Sequence, residues 1–330
     1  MKKESTPLVS IIIPVYNGSN YMRQAIDSAL AQTYKNKEIL VINDGSTDNT
    51  DEIAKSYGKK IRYYKKPNGG VSSALNLGIE KMHGEYFSWL SHDDMYLPNK
   101  VQSEISYLSE KKMLGKKCIA YSDFCLVDEN NKHIIDAIAD HATTEKKPEY
   151  ALLRGLINGN SLLIPKKAFD TYGGFDTKLR CVQDYQKWYE MQNTYLFIHV
   201  PEILVQSRYH SKQVSNTSPL VRTEGNEFWT RMIKETSDKT KKRLNGNLYA
   251  FYYHMAAYLK ASPYDEAYKY CEEQLKKLPE MPVGVDNYRA ASPDMLSKYK
   301  VVRFCQFLKY EGVKGTCSRI INKIKKCLHK

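Results

Sequence analysis

The chain contains no apolar run approaching the about 20 residues that a membrane-spanning helix needs. Its early apolar run, Leu8 to Val15, is only strand-length and contains Pro14. Seven cysteines are present, without a C-x-x-C pair and without metal-finger spacing. A zinc finger is therefore excluded, and the odd, scattered set is what reduced thiols in a cytosolic protein look like. Met1-Lys2-Lys3 is followed at once by Glu4-Ser5-Thr6-Pro7, so the opening is not expected to act as a signal peptide. There is no internal repeat and no low-complexity tract.

What is there suits a folded globular chain. The 330 residues suffice for one large α/β domain with an appendage, or for two domains. Hydrophobic residues make up 42% and charged residues 26%, ordinary values for a chain that buries a core. The net charge of +13 is unevenly placed. Residues 221–330 hold 22 Lys and Arg against 12 Asp and Glu, whereas residues 1–220 hold 28 against 25. A basic appendage beside a nearly balanced body points to an anionic partner, either lipid head groups or nucleic acid.

Pattern along the chain alternates between the two regular periods. Val9 to Ile13 is a β-branched run expected to be a buried strand stopped by Pro14. Met22, Ala25, Ile26, Ala29 and Leu30 have helical spacing. Glu38 to Asn43, Ile61 to Lys65 and Tyr86 to Leu90 read as further strands, separated by helices ending near Tyr57 and Lys81. Val101 to Lys111, Tyr150 to Ile157 and Gln183 to Met191 read as helices. Ala120 to Asp128, Ser161 to Ile164 and Thr194 to Val200 read as strands. Such alternation implies parallel βαβ units in a doubly wound sheet. Composition shifts near Ser215, and residues 224–275 and 295–310 read as amphipathic helices.

In an open α/β sheet, ligands gather at the carboxyl ends of strands. Pro14 to Tyr16, Asp44, Asn68 and Asp93-Asp94 all fall there. The last pair is the most telling. An aromatic run, Tyr86-Phe87-Ser88-Trp89-Leu90, ends in two adjacent carboxylates. Neighbouring side chains on extended chain point to opposite sides, so both cannot hide, and two anions repel. A hard cation such as Mg²⁺ or Mn²⁺ carrying a phosphorylated substrate would relieve that. The alternative is an Asp-Asp turn in which Asp94 or Asn99 caps the next helix.

Taken in order, these segments resemble the family 2 inverting glycosyltransferases. Val9-Ser10-Ile11-Ile12-Ile13-Pro14-Val15-Tyr16-Asn17 and Ile42-Asn43-Asp44-Gly45-Ser46-Thr47-Asp48 resemble the family's opening. Asn68-Gly69-Gly70-Val71-Ser72-Ser73-Ala74-Leu75-Asn76-Leu77-Gly78 and the Asp93-Asp94 segment continue it. Asn158-Gly159-Asn160-Ser161, Gly173-Gly174-Phe175-Asp176 and Gln183-Asp184-Tyr185-Gln186-Lys187-Trp188 resemble its acceptor half. Arg208-Tyr209-His210 with Ser215 resembles its closing segment. The resemblance spans roughly residues 8–216.

It implies a single doubly wound, mixed and mostly parallel sheet flanked by helices, a Rossmann-like glycosyltransferase A fold, followed by a helical C-terminal region. Residues 1–216 would form the catalytic domain, with a nucleotide-sugar half near 1–100 and an acceptor half near 101–216. Residues 217–330 would be helical and basic. The implied activity is metal-dependent transfer of a hexosyl or N-acetylhexosaminyl group from a nucleotide sugar, a UDP-sugar in the first instance. The acceptor would be a glycan or lipid-linked molecule in cell-surface polysaccharide or glycoconjugate synthesis. By the same resemblance Asp44 would bind the nucleobase, and Pro14 and Tyr16 would line its pocket. Asn17, Asn68 and Asp93 would complete the donor site, Asp93 holding the ribose or assisting the metal. Asp94 would ligate Mn²⁺ or Mg²⁺, with His210 as a further ligand in its neutral form. Asp184 would be the general base. Tyr185 and Trp188 would offer a stacking face to an acceptor sugar.

The chemistry agrees with that outline. Inverting transfer needs one carboxylate base and a charge-stabilised diphosphate leaving group, not the two flanking carboxylates of a hydrolase. Four positions depart from the family pattern: Ser91 and Asn43 replace Asp, Leu75 replaces Arg, and Gln183 replaces Glu. These departures bear on the donor, since Asp94 and Asp184 are both present. Two rivals are a sugar nucleotidyltransferase and a non-catalytic nucleotide-binding protein. The first wants a Gly-rich, cation-bearing phosphate loop after the first strand, and Pro14-Val15-Tyr16-Asn17-Gly18 has no cation. The second leaves the two carboxylates without a purpose.

Near the end, Val313, Cys317, Ile320, Ile321, Ile324, Cys327 and Leu328 share one helical face. Lys314, Arg319, Lys323, Lys325, Lys326 and Lys330 occupy much of the rest. A basic amphipathic helix over 313–330 is expected to lie on anionic membrane, or else to pack on the domain or on a second copy as a homodimer. The expected location is the cytoplasm, peripheral to the inner face of the membrane. Nucleic acid is not expected as a partner, because the basic face has neither interleaved aromatics nor a known motif.

Overall fold

The computed structural model describes residues 6–260 and 262–279. It divides into a first unit ending at Tyr209 and a second beginning at His210. The first half of the first unit alternates strand and helix. Its elements are β1 (Val9–Val15), α1 (Met22–Leu30), β2 (Lys37–Asn43), α2 (Thr50–Ser56), β3 (Arg62–Lys65), α3 (Val71–Lys81) and β4 (Tyr86–Trp89). The second half runs β5 (Met95–Tyr96), α4 (Lys100–Glu110), β6 (Cys118–Val127), β7 (His133–Ala137), α5 (His141–Lys146) and α6 (Glu149–Leu153). It closes with β8 (Leu162–Pro165), α7 (Lys166–Tyr172), α8 (Gln183–Met191) and β9 (Leu196–Arg208).

Among the described residues nine strands join one sheet, in the order β3-β2-β1-β4-β8-β6-β9-β5 with β7 paired to β6. The long registers, β1 with β2 and β6 with β9, are parallel, whereas the antiparallel pairings are short. The sheet is mixed and mostly parallel, as expected. β1 and β4 are buried along their whole length because they lie in its middle with helices on both faces.

Four strands differ from the sequence reading. β1 continues through Pro14 to Val15. Ile12 O accepts from Leu90 on the β4 side, while Val15 O accepts from Asp44 beyond β2. Alternation therefore turns Pro14 toward β4, whose pairing with β1 has already ended at Ile12–Trp89, and no ladder bond is lost. β9 continues past Pro201 to Arg208, with register shifts at Ser122–Asp123 and Asp123–Phe124 absorbing the irregularity. β5 and β7 are edge pieces too short or too polar to show a period.

Aromatic side chains from distant segments fill the layer beneath the carboxyl ends. Phe175 sits against Trp89 (centroids 6.1 Å apart) and Trp188 (5.8 Å), and Phe87 against Phe169 (4.9 Å). Deeper still, Lys100 and Glu104 form a fully buried ion pair at 3.0 Å. Lys100 also donates to Ser88 Oγ and Leu162 O, tying α4 to β4 and β8.

The second unit is helical in its described part: α9 (Val214–Thr217), α10 (Leu220–Glu235), α11 (Asp238–Asn245), α12 (Leu248–Leu259) and α13 (Asp265–Lys277). α10 buries Phe228, Trp229, Met232 and Ile233, and Trp229 meets Tyr258 of α12 edge-on. Asn226 Oδ1 accepts from Glu266 and Ala267 N–H, satisfying the start of α13. No helix among the described residues is long and apolar enough to cross a membrane. The helices expected over 295–310 and 313–330 lie outside the described residues.

Candidate active site

Strand ends of β1, β2, β4 and β9 bring the polar segments together. Asp44 directly follows β2 and is buried. Its Oδ1 accepts from Lys66 Nζ at 2.6 Å and from Gly69 N–H at 3.0 Å, and its Oδ2 from Gly70 N–H at 2.7 Å. The Asn68-Gly69-Gly70 turn is thus wrapped around this carboxylate. Gly70 is needed there, with φ of +87° and an Arg180 nitrogen 1.9 Å from where a Cβ would stand. Across the strand end, Asn17 Oδ1 accepts from Thr47 N–H, and Asn17 N–H donates to Ser46 Oγ. Pro14 is buried within β1, while Tyr16 (49% exposed), Asn17 and Asn68 face solvent. Asp48 below them would be raised by burial, but hydrogen bonds from Thr50 and Ser19 outweigh this and hold it at about 2.

Asp94 is the most constrained carboxylate. Oδ1 accepts from the backbone N–H of Arg208 at 2.6 Å, and Oδ2 accepts from the Asn160 side-chain amide. Asn160 cannot turn round, because its Oδ1 takes the Ser91 N–H at 2.7 Å. Burial, followed by the charge of Asp93, pushes Asp94 well above the ordinary carboxylate range, against the opposing pull of Arg208 and Ser207. Arg208 is fully buried; its guanidinium donates to Asp93 O, Asn131 Oδ1 and Gln24 Oε1 and stacks over Tyr21. It therefore holds the Asp93-Asp94 turn from the end of β9. The alternative in which Asp94 or Asn99 caps α4 is not realised: Asn99 makes no capping bond, and both Asp94 oxygens are directed elsewhere.

Asp184 stands in the first turn of α8, half-buried. Burial raises it to about 6, although Tyr185 N–H donates to its Oδ1 at 2.8 Å. Its Oδ2 lies 3.6 Å from where a Cβ on Gly159 would stand, and the Trp89 ring lies 3.0 Å from that same point. Asn160, next along the chain, is the residue that grips Asp94. One short segment, 158–161, thus joins the two carboxylates, held by Asn158 Oδ1 on Asn160 N–H and Asn158 O on Ser161.

One expectation about the acceptor side changes. Trp188 is fully buried, edge-on to Phe175, so it has no stacking face to offer and serves as packing beneath α8. Tyr185 is half-buried, and its hydroxyl both accepts from Ile157 N–H and donates to Ile157 O. That clamp fixes the approach to residues 158–161. His210 opens the second unit, where its N–H faces Gln213 Oε1. Lys66, Gly159, Asn160, Arg180 and Arg208 were given no roles by the sequence reading. Gly159, Asn160 and Arg208 stood within quoted motifs without a role of their own, and nothing in the chain pointed to Lys66 or Arg180.

The residues present suit a divalent cation in part. Asp93 and Asp94 offer adjacent hard oxygen donors, and the charged form of Asp94 is disfavoured as long as no cation offsets it. Among the described residues, no cluster of three or more His, Cys, Asp or Glu is arranged to hold a metal. Diphosphate oxygens and water would complete the shell, as is usual for Mg²⁺.

This architecture, with polar groups gathered where parallel strands end, is a glycosyltransferase A-type fold. The sequence model of glycosyl transferase family 2 matches residues 10–168. An uncharacterized glycosyltransferase of Rickettsia typhi is 43% identical over 267 residues, covering 80% of this chain and 83% of the relative. Another, from Rickettsia bellii, is 46% identical over 82% of this chain, which spans only 40% of that longer relative. The chain belongs to glycosyl transferase family 2. Among solved structures, S. aureus TarS in complex with UDP-GlcNAc has a TM-score of 0.59 at 14% identity, covering 90% of both chains. A mannosyltransferase from Pyrobaculum calidifontis in complex with GDP-Man and Mn²⁺ has a TM-score of 0.56 at 13% identity, covering 95% of this chain and 88% of the other.

Proposed function

We propose that this chain transfers a hexosyl or N-acetylhexosaminyl group from a UDP-sugar to a hydroxyl of a glycan or lipid-linked acceptor, with inversion, in cell-surface polysaccharide or glycoconjugate synthesis. The observation that carries this reading is the 158–161 segment, which holds Asp94 through Asn160 and stands beside Asp184 through Gly159. A donor-side carboxylate and a base-side carboxylate are thereby locked in one frame. The TarS complex with UDP-GlcNAc supports the donor class, and the mannosyltransferase complex with Mn²⁺ supports the metal.

In the proposed step, Asp44 and the 68–70 turn receive the nucleobase, with Pro14, Tyr16 and Asn17 around it. Asp93 and Asp94 would hold the Mn²⁺ or Mg²⁺. When bound, that ion stabilises charge on the diphosphate. Asp184 accepts the proton of the acceptor hydroxyl as that oxygen bonds to the anomeric carbon. The bond from carbon to diphosphate oxygen breaks on the opposite face, and the nucleoside diphosphate leaves with the electron pair. A carboxylate at about 6 is mostly ionised at neutral pH yet far more basic than an ordinary Asp, which suits it to this work. The half-buried ring of Tyr185 is proposed to border the acceptor. Residues 313–330 are proposed to bring the enzyme to anionic membrane.

A screen of the purified protein against nucleotide sugars, reading nucleotide release with and without Mn²⁺, tests the donor and the metal. With an α-linked donor the product should be β-linked. The anomeric proton coupling in NMR decides this, and retained configuration would overturn the mechanism.

A further inference from the structure

The run leading into the proposed base is anchored by packing only at its two ends. Phe175 and Val182 are buried, but every residue between them is exposed or only half-buried. Side-chain contacts of Asn76 and Arg180 tie this run to the donor half. Asn76 of α3 reads Phe175 at both backbone groups: its Nδ2 donates to Phe175 O at 2.9 Å, and Phe175 N–H donates to its Oδ1 at 2.7 Å. The fit is so close that a Cβ on Gly174 would stand 2.3 Å from Asn76 Oδ1. Five residues on, Arg180 Nη1 donates to Gly69 O at 3.1 Å and lies over Gly70. Gly69 and Gly70 are the residues whose N–H groups hold Asp44. Asp184 follows four residues after Arg180.

We propose that Asn76 and Arg180 are positioning residues that set where Asp184 stands relative to the donor pocket, Asn76 being the principal one. The inference rests on Asp184 being the base. Physically, Asn76 adds to the packing of the Phe175 ring a two-point hydrogen bond to its backbone, which fixes both distance and angle. Arg180 links the turn that surrounds Asp44 to the run that carries Asp184, so the two halves of the reaction share one frame. Neither side chain need touch the sugar to affect turnover, because misplacing a catalytic group by about 1 Å costs on the order of a hundredfold.

The test compares wild type, Asn76→Ala, Gly174→Ala, their double variant and Asp184→Asn. UDP affinity is measured by calorimetry, and turnover is measured with the donor identified by the nucleotide-sugar screen. Asn76→Ala should keep UDP affinity within about twofold while kcat falls about ten- to a hundredfold. Gly174→Ala retains Asn76 but drives a methyl into it, and should show the same split. In the double variant that methyl has room, so kcat should be no lower than in Asn76→Ala alone, a strong departure from additivity. Wild-type kcat in Asn76→Ala beside an inactive Asp184→Asn overturns this inference alone. Losses that multiply in the double variant also overturn it. Wild-type turnover in Asp184→Asn would instead overturn the base assignment, and this inference with it.

Discussion

Asp184→Asn should bind UDP within about twofold of wild type and lose about two orders of magnitude or more in turnover, the scale of a missing general base. The amide preserves size and can still accept the Tyr185 N–H that Oδ1 accepts now, so α8 should begin unchanged. What it cannot do is take a proton. The pH profile supplies an independent check. Burial lifts the Asp184 carboxyl to about 6, and the base works only when ionised. In wild type kcat/KM should therefore fall about tenfold per pH unit below about 6 and level off above it. That acid limb should vanish from the residual activity of Asp184→Asn. Unaltered turnover would move the base elsewhere, with Asp176 the next residue to test.

Asp94→Asn should fold and lose both transfer and metal-dependent donor binding. The new amide can still accept the Arg208 N–H. Its NH₂ would then face the amide donor of Asn160, which is locked by Ser91. Such a donor–donor conflict costs about 1–3 kcal/mol, partly offset because a neutral group replaces a carboxylate whose ionisation burial already opposes. The double variant Asp94→Asn, Asn160→Asp restores a donor–acceptor pair at the same place. It should recover the melting temperature of wild type without recovering transfer, because the charge no longer stands at the end of β4. Activity in either variant equal to wild type, or full wild-type activity in excess chelator, would remove Asp94 from the metal site.

Much of this was readable from local pattern. The β-branched run at Val9 and the 3.6-residue spacing after Tyr21 are properties of contiguous chain, and β1 and α1 appear where those periods place them. Polar residues at strand ends, Asp44 and Asp93-Asp94, were visible because a run of apolar residues stops there. Trp188 shows where pattern misleads. A tryptophan one turn after an Asp on a helix looks the same whether it faces a ligand or a core. Phe175, from another segment, decided the matter by covering it.

Sequence alone determined the family, the order of strands and helices in the first half, and the identities of the carboxylates. Those depend on residue type and short-range periodicity, which survive without any knowledge of contacts. Tertiary structure decided what holds the carboxylates. Asp94 takes its hydrogen bonds from Asn160 and Arg208, 66 and 114 residues away, because β8 and β9 enter the sheet out of chain order. Asn76 meets Phe175 across 99 residues for the same reason. Contacts made by sheet topology leave no period in the chain, so the acids were legible and the frame that aims them was not.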